Sequence, residues 1–173
     1  EDYGDFVETV ARRYKGRIFH YQIWNEPNTD TEWGPYRPNP AEYTRLLKTA
    51  AERLRAVDPR IVVHSAALAP TLGTPDGKNM RDVDFLQGMY DAGAAEWFDV
   101  MGAMAYGLWT GPGDRRLELD RVNFSRPQMI RDVMVRNGDA HKPIWAAEVG
   151  WNALPEGWPD PPTHGQVSLE LQA

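Results

Sequence analysis

The chain has 173 residues, 42% hydrophobic and 25% charged, with a formal net charge of −6. That is enough for one domain with a sizeable core, and the acidic balance argues against a nucleic acid or an anionic membrane surface as partner. The absence of cysteine excludes a disulfide framework and any thiolate metal site. No apolar run reaches the ~20 residues of a membrane-spanning helix.

In chain order, Asp5 followed by Glu8 has the form of a capping box, and Phe6, Val7, Val10, Ala11 and Tyr14 recur at helical spacing until Gly16. Residues 18–24 form an apolar run that reads as the first strand. Asn39-Pro40-Ala41-Glu42 is a helix start, with Asn as N-cap and Pro at the first helical position. The stripe Tyr43, Leu46, Leu47, Ala50, Ala51, Leu54 and Val57 then continues to Asp58-Pro59, which ends the helix.

Ile61-Val62-Val63 opens a second strand that fades into Ala69-Pro70. A helix from about Asp82 carries Phe85, Leu86, Met89 and Tyr90 on one face and stops at Gly93. Residues 98–106 form a third strand, rich in small residues, as expected where a strand is packed on both faces. Ser125-Arg126-Pro127-Gln128 reads as a second capping box, opening a helix that ends at Asn137-Gly138. Residues 143–149 are the fourth strand, and a last helix begins near Ser168.

Strict alternation of apolar strands and helices predicts an α/β fold with a parallel sheet. The helix-to-strand links are short, whereas the strand-to-helix links are long and hold Trp33, Tyr36, Trp109, Trp151 and Trp158. In a (β/α) barrel, functional loops follow the strands at the C-terminal face. Four parallel strands do not close a barrel, for which eight is the usual number. The chain is therefore expected to be the middle of a larger (β/α)8 TIM barrel, with residues 1–173 a partial catalytic domain.

Two glutamates stand at the ends of apolar strands, Glu26 in Trp24-Asn25-Glu26-Pro27-Asn28 and Glu148 in Ala147-Glu148-Val149-Gly150-Trp151. A carboxylate at a strand end with Pro or Gly within the next two residues sits at the rim of a sheet, where a pocket would be. A single rim glutamate is ordinarily a salt-bridge partner, but two in such surroundings fit glycoside hydrolysis. That reaction needs one carboxyl to protonate the leaving oxygen and a second to meet the anomeric carbon, at about 5–5.5 Å in retaining enzymes.

Both motifs, Ile23-Trp24-Asn25-Glu26-Pro27-Asn28 and Pro143-Ile144-Trp145-Ala146-Ala147-Glu148-Val149-Gly150-Trp151, resemble the strand-four and strand-seven motifs of the retaining (β/α)8 glycosidase clan. The surroundings are most similar to glycoside hydrolase family 39 and related cellulase-like glycosidases. The resemblance implies that the chain covers about strands four to seven with their helices. It makes Glu26 the acid/base, Glu148 the nucleophile and Asn25 a ligand of the sugar hydroxyl beside the anomeric carbon. It also puts Tyr106 in contact with the nucleophile, while Met104 stands where many relatives carry a histidine.

Among the aromatics, Trp24 and Trp145 lie within strands and are expected in the core. Trp151 follows a glutamate motif directly and is a candidate to shape the sugar site. Trp33, Trp109 and Trp158 are loop aromatics suited either to pinning their loops or to stacking on a sugar, and Trp109 joins the candidate substrate-binding set. His64 is expected to be a buried, hydrogen-bonded histidine, and His20, His141 and His164 carry no signal. Asp114-Arg115-Arg116 reads as a solvated loop face.

The expected activity is cleavage of a β-linked oligo- or polysaccharide by double displacement. A transglycosylase with the same site and a catalytically inactive carbohydrate-binding barrel are the alternatives. No cofactor or metal is expected, because the intervening strand ends, Ala69-Pro70 and Ala105-Tyr106-Gly107, offer no carboxylate. A polysaccharide substrate favours an exported or cell-surface protein over a cytoplasmic one.

Overall fold

Four short parallel strands lie side by side in chain order: β1 (His20–Gln22), β2 (Val62–His64), β3 (Met101–Tyr106) and β4 (Ile144–Gly150). This is a computed structural model, and it describes residues 1–172. β1 pairs with β2 and β3 with β4. The seam between the two ribbons is closed by parallel bridges from His64 to Val100 and from Leu68 to Ala103. There the Ser65 N–H donates to the Val100 carbonyl at 2.9 Å, and the Asp99 N–H donates to that of Val63 at 2.8 Å.

Parallel neighbours need a crossover, and helices supply it. The helices are α1 (Asp2–Arg13), α2 (Asp30–Trp33), α3 (Pro40–Val57), α4 (Asp82–Asp91), α5 (Pro127–Arg136) and α6 (Leu169–Gln172), with a 3₁₀ turn at Ala94–Trp97. None of the described helices is long and apolar enough to cross a membrane.

α3 anchors the core. Asn39 caps it by accepting hydrogen bonds from the Ala41 and Glu42 N–H groups at 3.0 and 3.2 Å. Tyr43, Leu47, Ala50, Ala51, Leu54 and Val57 of its inner face are buried against the sheet and its neighbouring helices. β3 is buried along its length apart from Tyr106. Gly102 makes that possible, since a Cβ there would lie 2.8 Å from both the Ala67 nitrogen and the Ser65 oxygen.

Neither expected capping box forms. α1 begins at Asp2, which places Asp5 inside the helix. The Glu8 carboxylate, which would have turned back to the helix start, instead binds Arg12 and reaches Arg53 of α3 at 2.6 Å. The Ser125 hydroxyl donates to the Asp114 carbonyl at 2.7 Å, and no side chain caps α5. In both places a partner distant in sequence replaces the local one.

β1 is also shorter than its apolar run. The ladder continues through hydrogen bonds of Phe19 and Ile23 but ends at Trp24, whose φ is 71°. Trp24 and Trp145 are not core residues, being 37% and 50% exposed. Trp24 packs edge-on against Tyr3 of α1 and Trp33 of α2, with ring centroids 5.7 and 5.9 Å away. Trp145 stacks on His20, with ring centroids 5.0 Å apart. Trp33 lies in α2 rather than in an irregular loop.

Candidate active site

The segment after β1 is held in a conformation that its sequence alone does not favour. Glu26 has φ 40°, in the left-handed region that non-glycine residues rarely occupy. Its backbone is tied on both sides. The Glu26 N–H donates to the Ala67 carbonyl at 3.0 Å, and its own carbonyl accepts from the Thr29 N–H and hydroxyl at 3.0 and 3.1 Å.

Two buried side chains fasten this turn to the segment after β2. The Tyr43 hydroxyl donates to the Ile23 carbonyl at 3.0 Å and accepts from the Ala66 N–H at 2.6 Å. Asn28 accepts from the Ala69 N–H at 2.8 Å while donating to the carbonyls of Ala69 and Met80 at 2.8 and 3.0 Å. Neither Tyr43 nor Asn28 is exposed at all. Glu26 is thus presented half-buried by a braced turn.

Glu148 reaches the site by a different device. β4 pairs in register with β3 up to Ala146 opposite Ala103, then skips a residue, so that Glu148 lies opposite Met104. The irregularity re-aims the strand, as bulges do beside functional sites. The Tyr106 hydroxyl, at the end of β3, donates to Glu148 Oε2.

The electrostatics distinguish the groups. Burial raises the Glu26 carboxyl above its usual range, and the negative charges of Glu148 and then Glu32 add to the effect. The Tyr106 hydroxyl is pushed up to about 12, first by burial and then by its bond to Glu148. Tyr106 therefore stays a proton donor over the physiological range, facing a carboxylate acceptor.

A cavity of about 670 Å³ opens beside these groups, walled in part by Glu26, Tyr106, Gly150 and Trp151. Trp151 lies across Gly107, where any Cβ would collide with the indole. Its Nε1 donates to the Thr110 carbonyl at 2.7 Å, and its ring packs on Phe124 with centroids 5.1 Å apart. Asn25 is half-buried beside Glu26 but forms no part of the cavity wall, and neither does Trp109, which is 57% exposed. Met104 is buried.

Several residues that the sequence reading did not single out line the cavity, among them Thr71, Asn79, Asn152 and His164. Their common signal is their place in the long loops after strands. His64 is buried as expected, and its Nε2 lies 2.9 Å from Nδ1 of His20. Burial, and then the neighbouring His20, lowers the His64 pKa. Among the described residues no group of three or more histidines and carboxylates is arranged to hold a metal ion.

The sequence matches no protein-family model and no curated protein. Solved structures are similar in fold. A family 39 β-xylosidase from Caulobacter crescentus superposes with a TM-score of 0.54 at 19% identity, over 88% of this chain and 30% of that one. A family 128 endo-β-1,3-glucanase from Sorangium cellulosum does so with a TM-score of 0.58 at 17% identity, over 88% and 54%. A family 44 endoglucanase from Clostridium thermocellum gives a TM-score of 0.54 at 17% identity, over 85% and 40%.

The fold is similar to part of the (β/α) barrels of these structures. The chain spans between 30% and 54% of the lengths of these three structures. The parallel strands, the covering helices and the long loops after the strands all fit part of a (β/α) barrel.

Proposed function

We propose that the protein is a retaining glycoside hydrolase acting on a β-linked saccharide. In this reading Glu26 is the acid/base, Glu148 is the nucleophile, and Asn25 binds the hydroxyl next to the anomeric carbon. The observation that carries it is the hydroxyl of Tyr106, which lies on the wall of the cavity shared with Glu26 and is bonded to Glu148. One side chain thus bonds Glu148 and shares a cavity wall with Glu26. Two of the similar structures are named for β-linked substrates, a β-xylosidase and an endo-β-1,3-glucanase, which supports that linkage.

The roles follow from the environments. Glu26, with its carboxyl raised by burial and by Glu148, keeps a proton to give to the leaving oxygen. Glu148 accepts a hydrogen bond from Tyr106, which orients its carboxyl group for attack on the anomeric carbon. Its attack forms a glycosyl ester as the glycosidic bond breaks and Glu26 protonates the departing oxygen. Glu26, now ionised, takes a proton from water, which attacks the same carbon and frees Glu148. A polymeric substrate would place the protein outside the cell.

Azide rescue tests the assignment. Glu148→Gly should abolish turnover of an activated aryl glycoside, and azide filling the vacated space should yield a glycosyl azide of inverted configuration. Glu26→Ala should slow hydrolysis of poor leaving groups by about 10²–10⁴-fold. With azide it should release a product of retained configuration. Proton NMR reads both. Exchanged configurations mean that the roles are reversed, and no rescue in either variant rejects the mechanism.

A further inference from the structure

The cavity is lopsided with respect to the two glutamates. Glu26 is part of its wall, whereas Glu148 is not and meets it only through the Tyr106 hydroxyl. In double displacement the proton donor faces the leaving group and the nucleophile faces the ring under attack. A cavity built around the donor is therefore a leaving-group site. At about 670 Å³ it falls within the range of sites that enclose a whole small ligand. Its polar rim of Thr71, Asn79 and Asn152, with the Trp151 indole, suits a ring carrying hydroxyl groups on an apolar face.

Asn79 also lines a second cavity, of about 500 Å³, so the two spaces adjoin at one side chain. Arg37 and Arg81 form part of its wall. Arg37 makes no ion pair with any described residue; its Nη1 would lie 2.9 Å from a Cβ on Gly77, whose φ of 72° itself favours glycine. Arg81 uses Nε to bind Asp84 at 2.8 Å, which leaves its terminal N–H groups. The nearby Asp76 carboxylate is occupied by the Thr74 hydroxyl at 2.6 Å and the Lys78 N–H at 3.1 Å. A guanidinium offers a planar fork of donors to paired oxygens.

We propose that the leaving-group side of the site is a groove of two stations. The substrate is then an oligo- or polysaccharide cleaved within its length, with at least two sugar units beyond the scissile bond. The first unit occupies the Glu26 cavity, and the second lies against Arg37 past Asn79. The inference rests on the hydrolase reading above and names the substrate's extent.

The test compares kcat/KM for an aryl glycoside with that for saccharides carrying leaving groups of one, two and three sugar units. Binding at the second station should raise kcat/KM by about tenfold or more from one unit to two, because remote contacts lower the barrier, with little further gain at three. Arg37→Ala, at an exposed position, should bring the two-to-one ratio close to unity. A ratio near unity in the unsubstituted protein, or one that Arg37→Ala leaves intact, overturns the proposal. Chain-length independence with the aryl glycoside still cleaved rejects the groove alone, whereas failure to cleave any glycoside rejects the hydrolase reading with it.

Discussion

Replacing Asn28 with alanine would remove the brace behind Glu26. The side chain has no exposed surface and makes three hydrogen bonds, one accepted from the Ala69 N–H and two donated to the Ala69 and Met80 carbonyls. Alanine leaves the Ala69 N–H and the Met80 carbonyl without a partner, while the Ala69 carbonyl keeps the Thr71 N–H at 2.9 Å. A buried unsatisfied group costs about 1–3 kcal/mol, so the sum is about 2 kcal/mol or more, reduced where water enters the gap. Urea unfolding followed by tryptophan fluorescence measures it, with the slope against denaturant unchanged if the folded state keeps its compactness.

Asn28→Asp sharpens the test. It keeps the acceptor but loses both donations and sets a carboxylate against two carbonyl oxygens. Its pKa in the folded protein should therefore rise. The stability it contributes is present in full below its unfolded pKa of about 3.9 and is lost as pH rises through the folded value. Relative to the unsubstituted protein, Asn28→Asp should be strongly destabilised at neutral pH and recover in part in acid. A loss of under about 1 kcal/mol in Asn28→Ala would mean that the network contributes no more than a single ordinary hydrogen bond. A pH dependence in Asn28→Asp identical to that of the unsubstituted protein would refute the geometry.

Carboxyl-carbon NMR should place the Glu26 pKa above the ordinary glutamate range, and Glu148→Gln should bring it partway down, since burial, the larger cause, remains. Hydrolysis should correspondingly fall as pH rises through the Glu26 value, and a Glu26 titration indifferent to Glu148→Gln contradicts the shared site. The raised pKa also means that Glu26 contributes stability in acid that is lost as pH rises through it, so Glu26→Gln should melt higher than the unsubstituted protein at neutral pH. Away from the site, Arg126 and Asp82 form a buried ion pair at 2.6 Å, both side chains at most 2% exposed. Arg126→Met should cost about 3–5 kcal/mol by stranding the Asp82 charge, and Arg126→Met with Asp82→Leu should recover much of it. Equal melting of the single and double variants would argue against the pair.

The features legible in the sequence are those carried by residues a few positions apart. The α3 stripe from Tyr43 to Val57 and its Asn39 cap emerged as read, because a helix is written in side chains three and four apart and in its own first turn. The parallel order of the strands followed from their alternation with helices, and a glutamate near the end of each outer apolar run was visible, before Pro27 and before Val149-Gly150. Where a local pattern met a distant competitor, the pattern lost. Glu8 turned to Arg53 and Ser125 to the Asp114 carbonyl, and the capping boxes were not made.

What the tertiary structure alone decided is the site itself. Trp151 came to the cavity because Gly107, on another strand's end, leaves room for its indole, while Trp109, read with equal reason, remained in solvent. The brace on Glu26 comes from Asn28, whose partners Ala69 and Met80 lie 41 and 52 positions away. The raised Glu26 carboxyl depends on burial and on Glu148 across the sheet. Hydrogen-bond geometry and desolvation are set by which segments meet in space, and that is settled only when the whole sheet has assembled.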